Sequence, residues 1–237
     1  MNFSNQLNVV HTKFAFYDLQ SNSKGIAEGL EKELKPVQAQ NLLIIGFAGI
    51  ANELMKKGFN VTILALNNEM REYVRSILPS ANLIYGKIKN QSYNNRFDAI
   101  ICLGDTFSQF TKDEEVFSIM SSFYDMLKYG GVFLFENLVA SKILESKERS
   151  ITKVELDGLK IKRTSKVLQQ TQDPAIAIWN VTYELMQNGQ RNIYEENLKI
   201  RGFTGKEIDK FLKSTNFQLV KFLKSKSGNN FLTIVRK

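Results

Sequence analysis

Hydrophobic and polar positions along the first half of the chain switch repeatedly between two periods. From Ser23 to Leu34 the spacing is helical, and Asn41 to Gly46 (NLLIIG) follows as a short, wholly apolar run of the kind that forms a strand buried on both faces. Residues Ala48 to Lys57 return to helical spacing, Asn60 to Ala65 read as a second strand, and Asn67 to Leu78 as a further helix. The alternation continues through Asn82 to Gly86 as strand three, Phe97 to Leu103 as strand four, Asp113 to Lys128 as a helix and Val132 to Glu136 as strand five. Such regular alternation predicts an α/β fold with a doubly wound, mostly parallel sheet. Pro36, Pro79 and Pro174 each fall where one periodic segment gives way to another.

After about residue 148 the rhythm changes. Ile151 to Gln170, Ala175 to Met186 and Arg191 to Ile200 alternate with period two, and Asp157-Gly158 and Asn188-Gly189 are hairpin turn signals between them. A helix is predicted from Thr204 to Ser214, with Thr204 as N-cap and Glu207 at the spacing of a capping box. Phe217 to Leu223 and Phe231 to Val235 then form an antiparallel pair around Ser227-Gly228-Asn229-Asn230.

At 237 residues and 43% hydrophobic content the chain can bury one sizeable core, with or without an inserted subdomain. No segment reaches the roughly 18 apolar residues of a spanning helix, and no leader-like run opens the sequence, so a soluble, cytoplasmic protein without a membrane role is expected. One cysteine, Cys102, and one histidine, His11, leave neither a disulfide nor a zinc spacing, and no metal is expected. His11 reads as a capping or surface residue and Cys102 as a small buried hydrophobe; Phe107, Phe110, Phe117 and Phe123, at near-helical spacing, read as core. The net charge of +8 favours anionic partners, but it is spread along the chain. The densest cluster, Lys160, Lys162, Arg163 and Lys166, lacks an aromatic ladder or recognition helix, so nucleic acid is not the expected partner.

Taken together, NLLIIG, KKGFNVTILALNNEM, NRFDAIICLGDTFSQF and MLKYGGVFLFENL, over roughly residues 40 to 138, resemble the class I S-adenosylmethionine-dependent methyltransferases in order and spacing. VTYELMQNGQRNIYEENLKIRGFTGKEIDKFLKSTNFQLVKF is similar to the cap strands, last crossover helix and final hairpin of small-molecule members such as the amino-sugar and glycine N-methyltransferases. The resemblance implies a Rossmann-like, seven-stranded sheet with an inserted antiparallel β cap. It divides the chain into a core with an N-terminal helical segment (1–148), the cap (149–202), and the last helix with the closing hairpin (203–237). It also implies S-adenosylmethionine as cofactor and a small-molecule acceptor.

Ligands of such sheets sit outside the carboxyl ends of the strands. The resemblance therefore places Gly46, Phe47, Ala48 and Gly49 beneath the methionine part, Ala65 and Leu66 by the ribose, Lys87 and Ile88 beside the adenine, and Leu103, Gly104 and Asp105 near the methyl group. The segment Phe14 to Asp18, Tyr17 included, is expected to cover the pocket. Asp105 is the candidate catalytic residue, because a carboxylate at the end of strand four has no packing reason to be there. Trp179, Tyr183 and Tyr194 form an acceptor pocket or pack the cap on the sheet; Arg201 holds an anionic acceptor or a local salt bridge.

The family's acidic residues are missing at three places: Ile44 stands in strand one, Ala65 at the end of strand two and Lys87 after strand three, and the glycine turn is shortened. Two readings follow. Either S-adenosylmethionine is held by backbone groups, Asp105 and carboxylates such as Glu69 reaching back from the next helix, or the fold serves as a catalytically inactive partner or regulatory subunit. A homodimer and a heteromeric partner both stay open.

Overall fold

The computed structural model describes residues 11–88, 93–145, 149–156, 158–225 and 228–237. Two expected turn residues, Asp157 and Ser227, lie outside them.

The core sheet is built from β1 (Asn41–Ile45), β2 (Asn60–Ala65), β3 (Asn82–Tyr85), β4 (Phe97–Cys102), β5 (Leu127–Val139), β10 (Gln218–Lys224) and β11 (Asn230–Arg236). Its order is β3-β2-β1-β4-β5-β11-β10, with the first five strands parallel and the last two antiparallel. Period two explains how one strand serves two cores. Leu42 and Ile44 of β1, Ala99 and Ile101 of β4, and Val132 and Leu134 of β5 face one hydrophobic cluster. Their neighbours Leu43, Ile45, Ile100, Cys102, Phe133 and Phe135 face the other.

On the first face lie α1 (Thr12–Gln20), α2 (Ser23–Leu34), α3 (Ala48–Lys56) and α4 (Asn68–Ile77). On the second lie α5 (Asp113–Met126) and α7 (Gly205–Ser214), whose Val116, Phe123, Ile208 and Phe211 are buried there. Fully burying side chains of this size stabilises by about 1.5–3 kcal/mol each, which makes the two clusters the main source of cohesion. The predicted capping box at α7 is present: Thr204 Oγ1 accepts from the Glu207 N–H and Glu207 accepts from the Thr204 N–H.

The cap consists of β6 (Arg149–Leu156), β7 (Leu159–Gln172), β8 (Ala175–Gln187) and β9 (Gln190–Phe203), antiparallel in sequence order. Asn188 and Gly189 both have positive φ, +51° and +75°, as the two-residue hairpin turn requires. The end of β9 pairs with the end of β5 through Leu138 and Val139, which joins cap to core.

Several details differ from the sequence reading. β5 begins earlier than expected because the chain leaves α5 extended at Leu127 instead of completing a last turn to Lys128. The short α6 (Ala140–Leu144) was not foreseen. His11 holds the N-cap position of α1 without a side-chain cap bond, and it is not at the surface: it is buried edge-on to Tyr73, and burial lowers its pKa. Of the four phenylalanines read as core, Phe107 and Phe123 are buried, Phe110 is half-buried and Phe117 is exposed, because Phe117 stands on the solvent side of α5.

Candidate functional site

A cleft opens at the carboxyl ends of β1, β2 and β4, with about 850 Å³ of empty space including its mouth. Gly46 ends β1 with φ +86°, and Phe47, Ala48, Leu66, Asn67 and Met70 form the floor and one wall. Asp105, Thr106 and Gln109 follow β4, and Glu196 and Leu198 come down from β9. The remaining wall is α1, which contributes Lys13, Phe14, Tyr17 and Asp18.

Two polar clamps hold α1 there. The Asp18 carboxylate accepts from the Gly49 N–H (3.1 Å) and the Tyr73 hydroxyl (2.8 Å). Burial pushes the Asp18 carboxyl up to about 6, and those two hydrogen bonds pull it partly back. The Lys13 ammonium lies 3.0 Å from Glu196 and 3.2 Å from Glu69, tying α1 to both the cap and α4. Burial acts to lower the Lys13 pKa, but the two carboxylates outweigh it and hold the side chain charged.

The Asp18 clamp has a measurable consequence. The folded chain binds this proton more tightly than the unfolded chain does, so Asp18 costs stability as pH rises from about 4 to about 6. A shift from 3.8 to about 6 corresponds to roughly 2–3 kcal/mol. Asp18→Asn keeps an acceptor and removes the titration. Urea unfolding at pH 4.5 and pH 8 should show wild type gaining on Asp18→Asn in acid; parallel curves would refute an ionisable clamp.

A second cavity, with about 690 Å³ of empty space including its mouth, lies between the sheet and the cap. Phe16, Gln20, Thr152, Arg163, Trp179 and Asn230 surround it, and Tyr17 and Asp105 line both this cavity and the cleft. Burial pushes the Asp105 carboxyl up to about 6, the Arg163 guanidinium draws it down, and Glu136 adds repulsion. Glu136 is itself held by the Gly104 N–H (2.9 Å) and the Asn230 amide (2.8 Å). Burial also raises the Tyr17 phenol well above its ordinary value, so it is a neutral hydrogen-bonding group.

Gly104 is the tight point of the site. Its φ is +64°, and a Cβ there would stand 2.7 Å from Cζ of Phe47. The Phe47 ring edge therefore abuts Gly104 at the end of β4, and the side chain lines both the cleft and a third, largely apolar hollow against α2.

Of the residues singled out from sequence, Tyr17, Gly46, Phe47, Ala48, Leu66 and Asp105 line the cleft, Gly104 and Trp179 line the second cavity, and Leu103 lines the third. Others are placed elsewhere. Gly49 serves through its N–H, taken by Asp18. Ala65 is fully buried in the sheet, and Ile88 is packed into the second core cluster with Leu64 and Phe97. Lys87 is exposed beyond β3 and lines none of the three cavities. Glu69 does not reach back into the cleft, because Lys13 holds it.

In the cap, Tyr183 is buried with its ring against Phe16, and Tyr194 packs beside it with its hydroxyl 3.4 Å from Lys13. Arg201 faces away from the cavities, because its guanidinium is engaged by Asp113 and Glu207, both at 2.7 Å. Lys13, Asp18, Asn67, Met70, Thr106, Gln109, Arg163, Glu196 and Leu198 were not singled out for the site. The alternation that groups Tyr194 with Glu196 and Leu198, and Arg163 with the buried Ile161 and Ser165, carried a usable signal for some of them.

Among the described residues no group of three or more His, Cys, Asp or Glu side chains is placed to hold a metal ion, and no helix is long and apolar enough to cross a membrane. No protein-family model and no curated protein matches the sequence. Solved structures do match the fold. Streptomyces venezuelae DesVI superposes with a TM-score of 0.84 at 19% identity, covering 98% of this chain and 99% of its own. S-adenosylmethionine-bound CalS10, an amino pentose methyltransferase of Micromonospora echinaspora, gives 0.75 at 17% identity with both chains covered to 100%. The sugar N-methyltransferase KedS8 of a Streptoalloteichus species gives 0.77 at 14%, covering 100% of this chain and 97% of its own. Strand order, inserted cap and these likenesses together give the chain the class I S-adenosylmethionine-dependent methyltransferase fold.

Proposed function

We propose that the chain transfers a methyl group from S-adenosylmethionine to the nitrogen of a small polar acceptor. One observation carries this reading: two cavities meet at Tyr17 and Asp105, so a donor and an acceptor have separate seats with a shared wall. The fold's likeness to amino pentose and sugar N-methyltransferases supports nitrogen as the acceptor atom.

The cleft suits the cofactor's chemistry without the usual ribose carboxylate. Phe47, Leu66 and Met70 offer apolar contact for the adenosine, and the Lys13–Glu196 ion pair offers charge of both signs to the cofactor's methionine end. Asn67, whose Oδ1 caps α4 by accepting the Met70 N–H, has an amide NH₂ without a partner among the described residues and is the candidate ribose contact. When bound, the cofactor supplies a methyl group already activated on a sulfonium sulfur, so positioning and exclusion of water are the main tasks of the protein.

The chain's own residues perform both. α1 and β9 close the cleft, and Tyr17 sets the acceptor against it. With the cofactor bound, Asp105 would accept the acceptor's N–H and take the proton that the nitrogen gives up on methylation.

Calorimetric titration with S-adenosylhomocysteine should give saturable heat at submillimolar concentration. Absence of heat at millimolar concentration would overturn the proposal and leave an inactive scaffold or regulatory partner. Gly104→Ala should weaken this binding about tenfold, since the new methyl strains a left-handed residue and drives the Phe47 ring into the cleft. An unchanged dissociation constant would show that Phe47 does not border the bound ligand.

A further inference from the structure

Two arginines are sequestered in this fold, and they are treated differently. Arg201 is bracketed by two carboxylates at 2.7 Å. Arg163, on β7 with its guanidinium in the wall of the second cavity, makes no ion pair among the described residues; its polar neighbours are uncharged, Ser165 Oγ at a long 3.4 Å and the Tyr183 hydroxyl. An unpartnered Nε is common to both arginines, but beside Arg163 the Trp179 Nε1 is also buried without an acceptor. The three side chains belong together: Arg163 is paired across the strands with Tyr183, and its guanidinium lies 6.0 Å from the Trp179 ring centroid. A half-buried cation without an ion pair, next to a buried indole N–H without an acceptor, leaves donors open to a ligand in the cavity that Arg163 and Trp179 line.

We infer that the acceptor is an amine that also carries a carboxylate, the carboxylate seated on Arg163 and the Trp179 N–H, and the amine turned toward Asp105. The inference rests on the proposed methyl transfer for the identity of the second cavity as the acceptor seat. A carboxylate has two oxygens to receive several converging donors, and a guanidinium fork matches its geometry. One guanidinium balances one negative charge. With Asp105 and Glu136 nearby, a doubly charged phosphate would meet net repulsion, whereas an amino acid brings one negative charge to Arg163 and a nitrogen that, as the free amine, donates its N–H to Asp105.

Trp179 is the only tryptophan in the chain, so its emission reports on this cavity alone. The test titrates β-alanine and 4-aminobutyrate against their acid-free counterparts ethylamine and propylamine, with glucosamine as a neutral polyol amine, following Trp179 fluorescence with and without saturating S-adenosylhomocysteine. The expected result is a saturable response to a carboxylate-bearing amine, at least tenfold tighter than its counterpart. Arg163→Met should abolish that preference and Arg163→Lys should keep part of it, with near-ultraviolet circular dichroism confirming that both variants are folded. Equal response to amines with and without the carboxylate, no response to any carboxylate-bearing member, or a preference that survives in Arg163→Met overturns the inference. Calorimetry with S-adenosylhomocysteine separates the two readings. Cofactor binding with failure of the amine series leaves methyl transfer standing, and an Arg163-dependent amine response without cofactor binding does the reverse.

Discussion

Asp105→Asn should lower kcat by about 10²- to 10⁴-fold, the range that positioned general acid–base groups supply, while changing the affinity for S-adenosylhomocysteine far less. The substitution is nearly isosteric and still forms hydrogen bonds, so what it removes is the ability to take a proton. The location gives the effect its size. Asp105 borders both cavities, and burial holds its carboxyl at about 6 against the attraction of Arg163. A base poised there is ionised at neutral pH yet basic enough to accept a proton from a nitrogen losing its lone pair. The sign follows directly: below about 6 the carboxyl is protonated and cannot accept, so kcat/KM should climb as pH rises through that value and then level. Asp105→Asn should flatten that limb, and Arg163→Met should move it upward by withdrawing the one favourable charge. A pH–rate profile of the three proteins decides the matter, and a loss below about fivefold in Asp105→Asn would reduce Asp105 to a wall residue.

The framework was legible because its signals are local. NLLIIG announces a strand buried on both faces, and the structure divides its side chains between two clusters as period two demands. Thr204 and Glu207 announce the start of α7 by chemistry confined to one turn. The site was legible only in part, since its decisive pairs are distant in sequence. Asp18 meets Tyr73 across 55 positions, and Lys13 meets Glu196 across 183. Neither contact leaves a periodic trace. Position along the chain also misdirected the reading at Ile88 and Glu69: the first turns into the core, and the second is drawn aside by a lysine from α1 that no local pattern places there. Arg163 was visible only as part of a basic cluster, where its neighbours Lys162 and Lys166 obscured the difference between a solvated charge and one facing a cavity.

Arg201→Met should destabilise the fold by about 3 kcal/mol at neutral pH and leave ligand binding intact. The Arg201 side chain is 3% exposed, sandwiched between Phe203 and Phe211 at 4.8 and 5.8 Å, and its guanidinium joins Asp113 at the start of α5 to Glu207 of the α7 capping box. Breaking a buried pair costs about 3–5 kcal/mol. The lower end applies here because the stranded carboxylates keep other partners, Lys210 for Asp113 and Thr204 for Glu207, and methionine retains the packing between the rings. The pH dependence runs opposite to that of Asp18. Arg201 holds Asp113 below the usual carboxylate range, and its bonds with Glu207 overcome the burial that would raise that group. The pairing therefore stabilises fully above about 5 and is lost as both acids protonate, so wild type and Arg201→Met should converge when unfolding is followed in urea from pH 7 down to pH 3. Undiminished stability in Arg201→Met would show that the bracketed guanidinium does not hold α5 to α7.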